Sequence, residues 1–399
     1  MLAICKYLLN TSTELSILLI SGSPVLHSFR MPQGLDYIKL PCLGRDESGK
    51  ISAKFLRKKP QEVTRLRSEI IKTAIINFEP DLILVDKKPY GLQGELKSTL
   101  IYLEQYSPQT KLVLLLRDII DAPSITIEQW RQNNYYQALQ YYYDQILVVG
   151  MPEIFDITKE YNFPENITSK TRFCGYIDRD YGYKKPQVIR QELNLKADEK
   201  LVLVTPGGGG DGYHLVKTYL QGLEQLPPQS KIRSLVIYGP EMPKDLSQNI
   251  WQLVQQFLHV HLLEFTDDLA SYINAADTVI CMGGYNTICE VLSLKKKAIV
   301  IPRMKPVQEQ WIRAQRMGKM GLFMTINPNQ LTPKSILEAV LGSINHDHSF
   351  SHVDRLDLKA LPRISYYLYN LVYGSYYCFF NNKEKLYDII DVYSLRAVS

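Results

Sequence analysis

Short apolar runs recur along the chain and fall into two series. The first series contains LSILLIS, DLILVD, KLVLLLRD and QILVVG, and the second contains KLVLVTPGG, SLVIYGP, VHLLEF, DTVICMGG and KAIVIP. Continuous runs rich in Val, Ile and Leu are typical of strands that are buried on both faces of a parallel sheet. Segments of helical length lie between them, among them EVTRLRSEIIKTAIINF and HLVKTYLQGLEQL. The alternation predicts two α/β domains.

The polar segment RDYGYKKPQVIRQELNLKADEK separates the two series and has the composition of a connection between domains. We therefore predict an N-terminal domain over residues 1–178 and a C-terminal domain over residues 179–343. After Ser343 the strand pattern ends, and ALPRISYYLYNLVYG predicts a helix within a C-terminal extension over residues 344–399. A length of 399 residues exceeds the usual size of a single hydrophobic core, which agrees with two domains.

The start of the N-terminal domain departs from the expected order. MLAICKYLLN predicts a helix, and ELSILLISGS predicts the strand after it. A doubly wound domain normally begins with a strand that leads into its first helix. We therefore expect the first strand of this sheet to be missing, as a truncated gene start would cause.

Composition narrows the class of protein. Hydrophobic residues make up 45% of the chain, and the net charge of +5 is too small to indicate nucleic acid binding. No run reaches the roughly 18 apolar residues of a membrane span, and no signal-peptide pattern is present. The 6 cysteines form no C-x-x-C pair, which predicts a reduced, cytoplasmic protein.

The stretch CMGGYNTICE lies where a predicted strand meets a predicted helix. Gly283 and Gly284 permit a tight turn and close approach of the backbone to a ligand. A helix that begins near Thr287 would present free N–H groups to a phosphate, and Glu290 would accept hydrogen bonds from both hydroxyls of a ribose. The alternative is a capping box, in which Thr287 and Glu290 only satisfy the backbone of the helix end.

The second candidate stretch, TPGGGGDGYH, follows the strand KLVLV and opens a helix. Gly207, Gly208, Gly209 and Gly210 carry an entropic penalty of about 0.5–1 kcal/mol each relative to Ala in regular structure. A turn needs one or two glycines, so four favour a loop that surrounds a phosphate or a sugar. The spacing matches neither the ATPase nor the dehydrogenase fingerprint, and a flexible connector is the alternative.

The third candidate stretch, IPRMKPVQEQWIRAQRMGKMGL, joins the strand KAIVI to a helix that we predict to begin near Glu309. Glu309 and Gln310 at the start of this helix would bind sugar hydroxyls, or Glu309 would only complement the helix dipole. Because the carboxyl ends of parallel strands share one edge of a sheet, the three stretches are predicted to converge on one crevice. Two glycine loops, a carboxylate and an amide are what a sugar nucleotide would require.

These residues carry a resemblance to a known family. The segment LLEFTDDLASYINAADTVICMGGYNTICEVLSLKKKAIVIPRMKPVQEQWIRAQ resembles the C-terminal half of MurG-type glycosyltransferases, the GT-B fold family 28. GGGGDG, LRDIIDAP and FCGYIDR also resemble a MurG-related group of bacterial predicted glycosyltransferases. The resemblance implies two Rossmann-like, doubly wound domains that face a cleft, and a final helix that crosses back to the N-terminal domain.

The resemblance also implies roles for individual residues. The C-terminal domain would hold a UDP-sugar, with Glu290 on the ribose and Glu309 and Gln310 on the sugar. The backbone at Phe265 and Thr266 would edge the uracil, and Leu269 would pack nearby. The diphosphate loop would comprise Gly283, Gly284, Tyr285, Asn286 and Thr287, and the glycines 207–210 would line the cleft beside it.

The implied activity is metal-independent, inverting transfer of a sugar, without a cofactor, to an acceptor hydroxyl on a carbohydrate or a lipid-linked molecule. The family's histidine loop near the N-terminus has no counterpart, which leaves Asp118, at the end of LVLLLRD, as the candidate base. A UDP-sugar epimerase or hydrolase of the same fold, and a non-catalytic nucleotide-sugar-binding protein, are the alternatives.

Three charged segments fall outside this scheme. The Asp178–Asp180 pair and the histidines of HDHSFSH have loose metal-ligand spacing, but we interpret them as solvated polar residues and predict no metal site. Basic residues outnumber acidic ones over residues 45–72, with Phe55 and Leu56 interleaved. This segment predicts either peripheral contact with the anionic inner face of a membrane or a solvated helix face.

Overall fold

The computed structural model describes residues 1–45, 50–227, 230–345 and 355–374. All nine predicted runs form strands, and the segments between them form helices. The predicted α/β class, with two Rossmann-like domains, is therefore confirmed. Sequence patterns missed only short strands, whose apolar content is low or interrupted.

The N-terminal half contains both strands and helices, most of them in alternation along the chain. Its strands are β1 (Ile17–Ser21), β2 (Leu35–Lys39), β3 (Leu43–Arg45), β4 (Ile51–Ala53), β5 (Leu82–Asp86), β6 (Lys111–Arg117), β7 (Gln145–Val149) and β8 (Thr171–Phe173). Its helices are α1 (Leu2–Thr11), α2 (Pro60–Phe78), α3 (Lys97–Tyr106), α4 (Pro123–Gln132), α5 (Tyr135–Tyr142), α6 (Ile157–Glu160) and α7 (Glu165–Thr168).

These strands form three separate groups. The four-stranded parallel sheet has the order β5-β6-β7-β8, and β1 pairs in parallel with β2. β3 and β4 form an antiparallel hairpin. Although β1 is almost wholly apolar, all of its residues are only half-buried, and Leu82–Leu84 of β5 are half-buried as well. This partial burial agrees with the strand order, because within the described residues β1 and β5 each have one strand neighbour.

The C-terminal half continues with a second set of strands and helices. Its strands are β9 (Lys200–Thr205), β10 (Ile232–Ile237), β11 (Val260–Leu263), β12 (Thr278–Cys281), β13 (Ala298–Val300) and β14 (Met324–Thr325). Its helices are α8 (Pro186–Glu192), α9 (Tyr213–Leu223), α10 (Lys244–Val254), α11 (Leu269–Ala275), α12 (Tyr285–Ser293), α13 (Glu309–Lys319), α14 (Pro333–Asn345) and α15 (Ala360–Tyr373).

The C-terminal sheet is parallel and has the order β11-β10-β9-β12-β13-β14. Alternate residues of β9 face different cores, since Val202 and Val204 pack with α9, α10 and α14 and Leu201 and Leu203 pack on the other side. This strand order reverses direction between β9 and β12, which is where doubly wound sheets bind ligands.

The predicted boundary at residues 178 and 179 falls in the connection between β8 and α8. The last described helix, α15, packs against α1 of the N-terminal half. Arg363 on α15 donates hydrogen bonds to the Cys174 carbonyl and to Asp357. The final helix therefore returns to the N-terminal half, and residues 375–399 of the predicted extension lie outside the described residues.

No helix in the described part of the chain is both long enough and apolar enough to cross a membrane.

Candidate functional site

The two glycine loops leave the sheet side by side. Thr205, the last residue of β9, pairs with Cys281, the last residue of β12. Adjacent strands in a sheet lie about 4.8 Å apart. The predicted convergence of the loops that follow these strands therefore has a direct structural basis, and both loops lie at the point where the strand order reverses.

The turn after β12 requires glycine at Gly283. Its φ is +79°, and a Cβ there would lie 2.8 Å from Cγ1 of Val300. Gly284 is the N-cap residue of α12, which begins at Tyr285 and has no side-chain cap. Because the helix starts two residues before Thr287, Thr287 and Glu290 do not form the capping box that the sequence left open. In the described part of the chain, no N-cap side chain accepts a hydrogen bond from the first turn of α12.

Glu290 lies in the second turn of α12 and is half-buried. Burial raises the pKa of its carboxyl group, and the positive charge of Arg179 partly opposes this rise. Arg179 also donates from Nη2 to Oδ1 of Asn286 at 3.0 Å, and its Nε is buried without a hydrogen-bond partner among the described residues. The sequence gives no sign of this role for Arg179, because Arg179 lies between Asp178 and Asp180 in a segment with the composition of a solvated linker.

The four adjacent glycines have partly structural reasons. Gly209 has φ of +90°, and a Cβ there would lie 2.1 Å from the carbonyl oxygen of Tyr238. The carbonyl of Gly208 accepts a hydrogen bond from the N–H of Glu241 at 2.8 Å. The loop thus packs against the loop after β10, which explains Gly209 without a ligand. Gly207 has φ of +87°, and no atom of the described residues lies within 4 Å of its Cβ position.

A chain of polar contacts joins the three candidate stretches. Arg303, in the loop after β13, donates from Nη1 to Asp211 at 3.3 Å, and its backbone N–H donates to Oε1 of Gln310 at 3.2 Å. The Nε2 atom of Gln310 lies 3.9 Å from the Cβ position of Gly284. The glycine-rich loop, the loop after β13, the start of α13 and the turn before α12 therefore lie next to one another. The Nε of Arg303 is buried without a hydrogen-bond partner within the described residues.

The three residues predicted to edge a base lie at the carboxyl end of β11. Phe265 is 64% exposed, and the hydroxyl of Thr266 accepts a hydrogen bond from the N–H of Asp268 at 3.1 Å. Asp268 caps α11, whose first residue is Leu269. This group is two strands away from β9 in the sheet, and it forms the outer end of the row of loops.

Asp118 has a different environment from the one that a general base needs. Its side chain is 1% exposed, and both carboxylate oxygens accept hydrogen bonds from Arg313, each at 2.8 Å. The hydroxyl of Tyr176 donates to the same carboxylate at 3.0 Å. Both oxygens of Asp118 are therefore occupied by protein hydrogen bonds, and neither is free to take a proton from the hydroxyl of an acceptor substrate. Asp118 does not have the position that the predicted base requires. The sequence could not reveal this because its partner lies 195 residues away.

The side chain of Tyr285 also differs from the expectation. Its ring is buried and stacks on Tyr176, with 6.0 Å between the ring centroids. The guanidinium of Arg313 lies 5.6 Å from the centroid of the Tyr285 ring. The ring therefore helps to join the two halves of the chain, and only the backbone of Tyr285 remains for a ligand at the helix start.

Charged residues of the N-terminal half lie close to the start of α13. Burial lowers the pKa of the Lys87 ammonium group, and the charge of Arg117 lowers it further. Asp121 is buried and accepts a hydrogen bond from the N–H of Gln308 at 2.9 Å. Lys87, Arg117 and Asp121 thus lie at or just after the carboxyl ends of β5 and β6, and Asp121 contacts the residue before α13.

The described ranges contain no group of three or more His, Cys, Asp or Glu side chains that could hold a metal ion. Asp178 instead accepts a hydrogen bond from the backbone of Arg179. The histidines from His346 to His352 lie outside the described residues.

Comparison with known proteins places this site in a family context. Residues 201–359 match the glycosyltransferase family 28 C-terminal domain. An uncharacterized glycosyltransferase of Methanopyrus kandleri is 26% identical over 200 residues, covering 50% of this chain and 53% of that protein. The UDP-N-acetylglucosamine–N-acetylmuramyl-(pentapeptide) pyrophosphoryl-undecaprenol N-acetylglucosamine transferase of Histophilus somni is 29% identical over 175 residues, covering 43% and 48%. The chain thus spans about half the length of these curated relatives.

Solved structures extend the likeness to the fold of nearly the whole chain. MurG of Acinetobacter baumannii aligns with a TM-score of 0.55 at 13% identity and covers 93% of this chain and 94% of its own. A putative UDP-N-acetylglucosamine 2-epimerase from Listeria monocytogenes aligns with a TM-score of 0.63 at 11% identity, covering 92% of both chains. At these identities the structural likeness shows a shared fold alone.

Proposed function

We propose that this chain transfers a sugar from a UDP-sugar to an acceptor hydroxyl. The chain has the MurG-like GT-B fold, and its residues 201–359 match the glycosyltransferase family 28 C-terminal domain. The transfer proceeds with inversion at the anomeric carbon and without a metal ion. The observation that carries the proposal is the set of contacts from Asp211 through Arg303 and Gln310 towards Gly284. These contacts bring the glycine-rich loop, the loop after β13, the start of α13 and the turn before α12 together, and we place the diphosphate among them.

The N–H groups at the start of α12 receive the diphosphate in this proposal, because a helix N-terminus stabilises negative charge. Gly207 and Gly208 bring backbone close to the same group. Arg179 and Arg303 add positive charge. The Nε of each guanidinium has no hydrogen-bond partner among the described residues, and in this proposal it is a further donor to the ligand. Charge that develops on the leaving diphosphate is thereby stabilised by groups that are already in place.

In this proposal the nucleoside and the sugar lie on opposite sides of the diphosphate. Glu290 accepts hydrogen bonds from the ribose hydroxyls, while the backbone of Phe265 and Thr266, with Leu269 behind it, holds the uracil. Glu309 and Gln310, at the start of α13, contact the sugar. The Histophilus somni relative is named for a UDP-N-acetylglucosamine donor and an undecaprenol-linked acceptor, which supports a UDP-sugar donor and a lipid-linked or carbohydrate acceptor here.

Peripheral membrane contact fits a lipid-linked acceptor. Phe55 and Leu56 are exposed, and Lys54, Arg57 and Lys58 flank them in the sequence. Each basic residue near an anionic surface contributes on the order of 1 kcal/mol. Sedimentation with phosphatidylglycerol vesicles is expected to be reduced in Phe55→Ser/Leu56→Ser, and equal sedimentation of the wild type with neutral vesicles would contradict an anionic membrane partner.

The donor site is tested by calorimetric titration of UDP, ADP and GDP. Wild-type protein is expected to bind UDP selectively, and Glu290→Ala is expected to lose most of this affinity. Glu338→Ala is a matched control, because Glu338 lies on α14 in an exposed pair with Lys334. Equal UDP affinity in the wild type and in Glu290→Ala would remove the ribose role of Glu290 and with it the proposed site.

The reaction is tested by product analysis with UDP-N-acetylglucosamine. Transfer requires an acceptor, so a free sugar or an epimer formed without one would favour a hydrolase or an epimerase of the same fold. Selective binding of UDP without any turnover would favour a non-catalytic nucleotide-sugar-binding protein.

A further inference from the structure

The side chain of Arg313 contacts three separate segments of the chain. Its guanidinium is 0% exposed and donates from Nε and Nη2 to the two oxygens of Asp118 at 2.8 Å. Nη1 donates to the carbonyl of Gly283 at 3.1 Å, and Nη2 also donates to Oε2 of Glu309 at 2.8 Å. One planar group thus joins the end of β6, the turn before α12 and the first residue of α13.

The contact with Gly283 fixes the direction of a peptide group. The C=O of Gly283 and the N–H of Gly284 belong to one planar trans peptide, so they point in opposite directions. While Arg313 holds the carbonyl, the N–H of Gly284 must point away from Arg313. The N–H of Gly284 precedes the other N–H groups at the start of α12, which are the proposed diphosphate donors. The direction of this first donor therefore depends on the Arg313 contact.

The contact with Glu309 restricts a second donor-side group. The carboxylate of Glu309 lies 2.8 Å from Arg313 and 4.0 Å from Arg303. Glu309 is thus held between two guanidinium groups at the start of α13. The same Arg313 side chain that orients the glycine turn therefore also orients a residue proposed to contact the sugar.

The orientation of Arg313 itself is set from the N-terminal half. A guanidinium that forms two parallel hydrogen bonds with one carboxylate has a fixed plane, and Asp118 provides that carboxylate. Tyr176 donates to Asp118, and Tyr285 packs its ring against Arg313. Burial alone would lower the pKa of Arg313, but the charge and hydrogen bonds of Asp118 raise this pKa well above its ordinary value, so the guanidinium stays charged.

We propose that Arg313 is a positioning residue for the transfer reaction, through which Asp118 of the N-terminal half sets the orientation of the Gly283 turn and of Glu309. The inference rests on the proposed function. According to this inference, Asp118 affects the binding of the donor diphosphate although it lies outside the donor pocket. An ion pair that only stabilises the fold would have no such selective effect.

Arg313→Lys separates these two roles. A lysine keeps the charge, but one ammonium group lacks the fork geometry that serves Asp118, Gly283 and Glu309 together. The affinity for UDP is expected to fall about tenfold, the equivalent of one lost hydrogen bond to a charged group. The affinity for uridine, measured by ligand-observed NMR, is expected to stay at the wild-type level, because the nucleoside does not contact the Gly283 turn.

Asp118→Asn provides a second variant if Arg313→Lys fails to fold. It keeps the size of the side chain and touches no proposed ligand group, yet it is expected to reduce the ratio of UDP to uridine affinity in the same direction. In Arg313→Lys/Asp118→Asn the loss is expected to be no greater than in Arg313→Lys alone, since both changes remove one interaction.

Arg316 on the same helix is the matched control. It donates to the carbonyl of Ile154 at 3.1 Å and to Glu160 at 2.6 Å, both in the N-terminal half. Arg316→Ala loosens that contact and is expected to leave the ratio of UDP to uridine affinity unchanged. An equal loss in Arg316→Ala, or an unchanged ratio in Arg313→Lys and Asp118→Asn, would overturn the inference. Absence of UDP binding in the wild type would instead refute the proposed function.

Discussion

Arg303 and Asp211 form an ion pair between two loops of the C-terminal domain, with 3.3 Å between Nη1 and Oδ2. Asp211 follows the four glycines, and Arg303 follows β13, so the pair joins these two loops at the point where we place the diphosphate. An anion there would compete with Asp211 for the guanidinium. Substitution of Arg303 and substitution of Asp211 are therefore expected to change the affinity for UDP differently.

Arg303→Gln is expected to lower the affinity for UDP about tenfold, because a charge-assisted contact with the diphosphate is lost. Asp211→Asn is expected to leave this affinity equal or increase it, because the competing carboxylate is neutralised. Titration calorimetry at low and high salt measures both effects, and the loss in Arg303→Gln should shrink at high salt. A weaker affinity in Asp211→Asn would show that the pair organises the loop and does not compete with the ligand.

Glu290→Gln is expected to stabilise the ligand-free protein at neutral pH while weakening UDP binding. Burial raises the pKa of the Glu290 carboxyl group in the folded state. The folded state therefore binds this proton more readily than the unfolded state, and stability falls as pH rises from the unfolded pKa of about 4.3 through the raised folded value. Glutamine removes this loss.

Thermal unfolding at two pH values checks the sign. The increase in Tm of Glu290→Gln over the wild type is expected at pH about 7 and should diminish below pH about 4, where the carboxyl group is neutral in both states. An increase that is the same at both pH values would mean that packing, and not charge, causes it.

Gly209→Ala is expected to destabilise the protein by about 2 kcal/mol or more, because its Cβ would lie 2.1 Å from the Tyr238 carbonyl and its φ is +90°. Gly210→Ala is the matched control, since its nearest contact would be an ordinary 3.7 Å. Gly207→Ala, with backbone strain but no collision, should lie between them at about 1 kcal/mol. Urea unfolding measures all three, and equal values for Gly209→Ala and Gly210→Ala would contradict the close packing of the two loops.

Two ion pairs that each include one residue of α2 are expected to differ in their contribution to stability. Arg67 and Glu95 have side chains that are only 6% and 8% exposed, and Glu95→Ala leaves a buried charge unpaired, which costs about 3–5 kcal/mol. Lys58 and Glu62 are 61% and 50% exposed, and Lys58→Ala is expected to leave the free energy of unfolding nearly unchanged, because solvent screens the pair. Similar values from urea unfolding would mean that relaxation or water relieves the Arg67 charge.

The sequence predicted the strands and their convergence because burial on both faces leaves a continuous apolar run that local reading can detect. It also placed the start of α13 at Glu309 correctly. The helix after β12 begins at Tyr285, two residues before the predicted position, since glycine serves as N-cap and leaves no side-chain signal. That difference excluded the capping box.

Sequence reasoning failed where a role depends on a distant partner. Asp118 has the pattern of a strand-end carboxylate, and only the fold brings Arg313 to it. The glycines of the 207–210 loop were attributed to a ligand, whereas Gly209 is needed for contact between two protein loops. Arg179 sits in a charged linker, and nothing local indicates that it reaches Asn286.

The division of the N-terminal strands has a consequence for handling the protein. In the described residues, β1 pairs only with β2 and β5 only with β6, so each has one edge that lacks a strand partner in this part of the chain. Edges of this kind act as templates for intermolecular pairing. Concentrated solutions of this chain should therefore self-associate, with light scattering that grows with protein concentration and diminishes when a short apolar β-forming peptide is added to occupy the edges.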